Sequence, residues 1–142
     1  MDPHFEPHEF LYYRISVKGP VGSRPAGVDI RLPEDSVNRA KYSEPEDVLY
    51  PNYFHLGVAQ FKVGSLPEPR QAGDLVFRLT VEHDPEEDNY AHSEVRSYRQ
   101  GLRVTHSGKI PVLVKAEFRQ LIAEAMAICR IVPQAPNDMA RG

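Results

Sequence analysis

Alternation of apolar and polar side chains is the clearest signal along this chain. Leu11, Tyr13, Ile15 and Val17 alternate with Tyr12, Arg14, Ser16 and Lys18, which predicts a half-buried strand over 10–18. Gly19-Pro20 ends it, and a Gly/Pro/Ser loop follows over 22–27. Residues 28–32 read as a short edge strand stopped by Pro33. A second long strand is expected over 55–63, with Ala59, Phe61 and Val63 on one face and Gln60 and Lys62 on the other. The strongest strand covers 75–83: Leu75, Phe77, Leu79, Val81 and His83 share one face, Val76, Arg78, Thr80 and Glu82 the other. Asp84-Pro85 breaks it. Residues 93–99 look extended, 102–105 predict another strand, and His106-Ser107-Gly108-Lys109 predicts a turn.

Two segments carry helical signals. Ser43 followed by Glu46 fits a capping box with Pro45 in the first turn, so a short helix is expected between Ser43 and Tyr50, burying Val48 and Leu49. The remainder of 35–50 is polar. In the last segment, Phe118, Leu121, Ile122, Ala125, Met126 and Cys129 recur at spacings of three and four, which predicts a helix over 112–131 closed by Pro133. Cys129 on that stripe reads as a small buried hydrophobe. Strands joined by Pro/Gly turns favour antiparallel pairing. The expected fold is therefore α+β: a mainly antiparallel, curved sheet of five or six strands packed on the C-terminal helix. One domain is expected over 1–142, with an arm at 1–9, a core at 10–132 and a tail at 133–142.

Composition supports a folded chain. It has 142 residues, 41% hydrophobic and 26% charged, with thirteen prolines, and it needs neither disulfide nor metal to bury a core. The single cysteine excludes an intramolecular disulfide. The N-terminal sequence lacks the basic and apolar regions of a secretory signal, and no apolar run reaches the ~20 residues of a membrane span. These features predict a cytoplasmic location and no membrane partner. The net charge of −3 argues against general nucleic-acid binding. Charge is nevertheless uneven. Residues 82–94 hold six acids and no Lys or Arg, whereas 95–119 hold six basic residues against Glu117 alone. A basic face and an acidic face are one expectation; a solvated surface of mixed sign is the other.

Candidate chemistry concentrates in the stretch 81–96, where His83, Asp84, Asn89, His92 and Glu94 are site-forming residue types. If the loop folds back as a hairpin, His83 and His92 approach each other, and Asp84 completes a base-and-orienter pair or a metal ligand set. The structural alternative is a hairpin cap: Asp84-Pro85 and Asn89 are turn chemistry, and a histidine ending a strand often makes one backbone bond only. A second group, Ser36, Asn38, Arg39, Tyr42 and Ser43, offers Arg39 with Tyr42 as an anion or ring holder, or simply as local caps and pairs. His4 and His8 flank Pro7, which disfavours the helical turn a His-x3-His metal pair needs. Nucleophilic catalysis has little sequence support. No Gly-x-Ser-x-Gly occurs, and adjacent His92 and Ser93 point to opposite faces of a strand. No phosphate loop or other cofactor motif is present, so no cofactor is expected.

The pieces SVNR (36–39), Ser43–Glu46, and Asp84-Pro85 with Asn89 and His92, after an opening strand like LYYRI (11–15), resemble a group of small uncharacterised bacterial proteins. The resemblance transfers no catalytic residue. It implies a bacterial origin and a role beside larger neighbours, in a multi-protein or defence-type system.

Two functions follow as expectations. The first is a non-enzymatic interaction subunit that binds another protein through Arg96, Arg99, Arg103 and Lys109 and the acidic loop 84–88, with Asn89 and Arg39 as further binding candidates. The second is a small hydrolase or phosphoesterase using His83, His92 and Asp84, with Arg96 holding an anion and a metal as an option. Nucleic-acid binding by the basic segment is a third reading, which no aromatic-interleaved basic motif supports.

Overall fold

The computed structural model describes residues 1–51 and 54–132; the expected tail at 133–142 lies outside them. Ten strands and one α-helix are described. The strands are β1 (Phe10–Ile15), β2 (Pro20–Val21), β3 (Arg24–Pro25), β4 (Glu34–Arg39), β5 (Gly57–Lys62), β6 (Arg70–Ala72), β7 (Leu75–His83), β8 (His92–Arg99), β9 (Leu102–Val104) and β10 (Ala127–Ile131), and the helix is α1 (Val112–Ala125).

The architecture is α+β, with a curved, antiparallel and open sheet. Its strand order is β10-β5-β1-β4-β8-β7-β6, and β9 pairs with β8 beyond the end of β4. Eight strands replace the five or six expected. β2 and β3 form a separate small ribbon. α1 lies on the inner face, where Val114, Phe118, Ile122 and Ala123, with Met126 just beyond the helix, join Leu11, Tyr13, Ile15, Phe61, Phe77, Leu79 and Val95 in the core. Their removal from water is the main force holding helix to sheet.

Three elements differ from the pattern-based expectation. The stretch 28–32 is not a strand; a 3-10 turn covers Gly27–Asp29. The segment read as polar and partly helical begins with β4, a central strand. Its inward positions include Asp35 and Arg39, so charged side chains occupy places where the alternation rule looks for apolar ones. The helical turn after it is 3-10, over Pro45–Val48, and its capping box is Glu44 with Asp47, one place along from Ser43 and Glu46. Finally, the last helix stops at Ala125. Met126 is extended and Ala127–Ile131 pairs antiparallel with β5. Cys129 is therefore exposed on an edge strand rather than buried on a helical stripe.

The arm at 1–9 is docked. The Val63 amide donates to the Glu9 carbonyl at 2.9 Å, the Gly64 amide donates to the Pro7 carbonyl at 2.8 Å, and Phe5 packs against the core.

Candidate functional site

The β7–β8 register decides what the central histidines do. His83 pairs with Ser93, and His92 pairs with Asn38 of β4. Neighbouring residues of a strand face opposite ways, so His83 lies on the inner face and His92 on the outer. A base pair or metal site using both imidazoles is not assembled. His83 is 5% exposed. Its Nδ1 accepts from the Asp2 amide at 2.8 Å, and its Nε2 lies 2.6 Å from the Tyr90 carbonyl. The first bond fixes Nε2 as the protonated nitrogen. Tyr42 stacks on the ring and Tyr90 meets it edge-on, so His83 anchors the arm and the hairpin loop. Asn89 is equally occupied: it exchanges amide bonds with Asn38 and donates to the Tyr50 hydroxyl at 2.5 Å. Among the described residues, no three His, Cys, Asp or Glu side chains are placed to hold one metal ion.

Arg39 is not an open anion site. Its side chain has no exposed surface. It pairs with Glu9 (Nε–Oε1 2.6 Å), donates to the carbonyls of Asp2 and His4, and has the Phe5 ring 3.9 Å away. The Asp2 carboxylate is bound by Tyr42 Oη at 2.6 Å and Lys41 Nζ at 3.0 Å, and those bonds hold its pKa far below the usual carboxylate range. The arm thus supplies the anions that Arg39 and Lys41 attract.

Arg96, the centre of the expected basic segment, is spent inside the sheet. It reaches Glu82 (2.9 Å), Glu94 (2.7 Å) and Asp84 (3.7 Å) on the outer face. Arg103 pairs with Glu34 and lies 3.5 Å from Glu94. The acidic and basic stretches cancel where β7 and β8 run side by side.

They do not cancel at the ends of the hairpin. Glu86, Glu87 and Asp88 are exposed at the 84–91 turn. At the other end, Arg99, Arg103, His106 and Lys109 line one cavity of about 160 Å³ together with Leu102 and Val104. Leu102, 73% exposed, stands at its rim, and Val112 and Leu113 at the start of α1 are 75% and 83% exposed. The eight residues of β8 separate the two ends by about 24 Å at ~3.4 Å per residue step.

A second cavity arises from the sheet itself. β1 and β4 pair only at Leu11–Arg39 and Tyr12–Asn38. Beyond that point β1 follows β5 and β4 follows β8, and the two strands fork. The resulting cleft, about 110 Å³, is lined by Arg14, Ser16, Arg31, Glu34, Asp35, Ser36, Asn38, Tyr50 and His92 among others. The loop closing the fork is held by Asp29, which is 1% exposed and accepts from the amides of Val17, Lys18 and Gly19 at 2.7–3.2 Å. Asp35 accepts from the Arg31 amide at 2.8 Å, and burial pushes its carboxyl up to about 7.

His92 opens toward this cleft. Its Nδ1 lies 2.7 Å from the Asp84 carbonyl oxygen and its Nε2 lies 3.3 Å from Ser36 Oγ. The sequence pattern singles out His92 and Asp84 but groups them with His83. It places Ser36 in a separate group, because 56 residues divide Ser36 from His92 and recognition of β4 as a strand is needed to join them. Comparison with protein-family models, curated proteins and solved structures finds no match to this chain, so the reading of these sites rests on their geometry.

Proposed function

We propose that the chain is an interaction subunit that docks an acidic, partly apolar segment of another protein in the basic cavity at the β8–β9 end of the hairpin. The observation that supports this reading is the convergence of Arg99, His106 and Lys109 on one cavity with Leu102 at its rim, where Arg103 is already paired with Glu34 and Glu94. A guanidinium offers planar, paired donors to a carboxylate, and an ammonium adds an unoriented charge. The exposed Leu102 side chain beside those cations favours a peptide over a free anion, because burying it adds binding free energy that a bare ion does not provide.

The site differs from the one expected from sequence in a defined way. Arg96 is excluded by its three carboxylates, and Arg39 by the arm. Nucleic acid is a poorer occupant: the net charge is −3, and the exposed acids at the far end of the hairpin repel a polyanion that continues past the cavity. Among the described residues no helix is long and apolar enough to cross a membrane.

The test is titration of a fluorescent Glu/Leu-rich peptide against the wild type and Arg99→Glu/Lys109→Glu. Binding that falls at least tenfold in the variant, weakens with salt, and is not matched by a Lys/Leu-rich peptide is the expected result. Equal binding by both proteins, or tighter binding of single-stranded nucleic acid, overturns the reading.

A further inference from the structure

The proton positions on His92 define a second site. A carbonyl oxygen can only accept, so the 2.7 Å contact with the Asp84 carbonyl places the proton on Nδ1. The lone pair of the neutral ring is then on Nε2, and it faces Ser36 Oγ at 3.3 Å. This is the tautomer a general base needs, oriented by a second group and directed at a hydroxyl. The burial is also suited to the role. His92 is 6% exposed, while Ser36 is exposed and lines the cleft, so the hydroxyl is reachable and the base is shielded behind it. Arg14 and Arg31 line the same cavity, and a guanidinium there is suited to stabilise negative charge as it develops on a reacting oxygen.

We propose that Ser36 and His92 form a nucleophile–base pair that hydrolyses small carboxylic esters in the forked cleft. Ser36 Oγ attacks the ester carbonyl carbon and passes its proton to His92 Nε2. The bond from that carbon to the alkoxy oxygen breaks, and the alcohol leaves with the proton held by His92. Water, deprotonated by His92, then attacks the acyl-Ser36 carbon, releasing a carboxylic acid and restoring the serine hydroxyl. A cavity of about 110 Å³ admits an acyl group of only a few heavy atoms. Asp84 is a positioning residue that acts through its backbone carbonyl, since its carboxylate oxygen is 3.8 Å from Nδ1.

The experiment is labelling of the full chain with a small alkyl fluorophosphonate, in which Oγ displaces fluoride from phosphorus, followed by intact mass and peptide mapping. The wild type is expected to gain one adduct, on Ser36. Ser36→Ala is expected to gain none, and His92→Asn, whose amide keeps a donor near the Asp84 carbonyl, to react about 100-fold more slowly. No adduct on the wild type, an adduct elsewhere, or an unchanged rate in folded His92→Asn overturns the proposal. Should His92→Asn fail to fold, Ser36→Cys in a Cys129→Ala background replaces it, since Cys129 is itself an exposed thiol. Iodoacetamide alkylation that proceeds well below the ordinary thiol range supports the pair, and alkylation following an ordinary thiol profile overturns it.

Discussion

Arg39 and Asp35 are inward charges on one strand, and each is stabilised differently. Arg39 is enclosed with Glu9, whose carboxylate makes contacts at 2.6 and 3.0 Å. Removing one partner of a buried pair strands the other charge, so Glu9→Gln is expected to cost about 3 kcal/mol in denaturant unfolding. A cost near zero would show that the arm is not anchored through this pair. For Asp35 burial outweighs the nearby Arg31 charge and the bond from the Arg31 amide, and raises its pKa to about 7. The folded chain therefore holds a proton that the unfolded chain releases near the ordinary value of about 3.9. The stability this provides is complete below that lower value and is lost as pH rises through about 7. Asp35→Asn removes the titration, so its stability relative to the wild type should rise between about pH 4 and pH 8, by about 4 kcal/mol. A difference that stays constant across that range would contradict the assignment.

At the scale of elements, the sheet depends on one close approach. A Cβ added at Gly57 would lie 2.8 Å from the Arg130 carbonyl oxygen, so β10 can pair with β5 only because residue 57 has no side chain. Gly57→Ala is expected to push β10 off the sheet edge. The cost should be about 1–3 kcal/mol, and amide exchange across Ala127–Ile131 should speed up while β7 and β8 stay protected. Unchanged exchange at Ile128 would refute this. Elements were legible in the sequence where polarity alternates with the pleat. β7 is read to its final residue because Phe77, Leu79 and His83 are buried on one side. β4 was not legible, since Asp35 and Arg39 occupy inward positions and hide the alternation. β10 was not legible either: Met126 and Cys129 continue the helical spacing, and only pairing with β5 shows that Met126 turns extended. The same gaps hid the sites. Without β4 as a strand, Ser36 has no neighbour in His92, and the expected partner of His92 faces the other side of the sheet.

Across the whole molecule, charge is arranged along the β7–β8 hairpin. Ion pairs around Arg96 neutralise its middle, leaving an acidic tip at Glu86–Asp88 and a basic cavity at Arg99–Lys109. Sequence counting found this asymmetry in the right stretches; it could not show that Arg96 is spent internally, because that depends on which carboxylates the register brings opposite it. Exposed charges of this kind act mainly on association rate and specificity, and Leu102 adds apolar contact. Lysines and arginines elsewhere on the surface should therefore be replaceable without effect on docking.

Co-purification from the native cells asks whether the basic cavity holds a protein partner. The tagged wild type, Arg99→Glu/Lys109→Glu, and a control reversal at the distant Lys18 would be recovered at low salt and compared by mass spectrometry. A stoichiometric protein partner is expected with the wild type and the Lys18→Glu control, and its loss with the cavity variant. Recovery of the wild type alone, or a partner retained equally by all three, would contradict docking in the basic cavity.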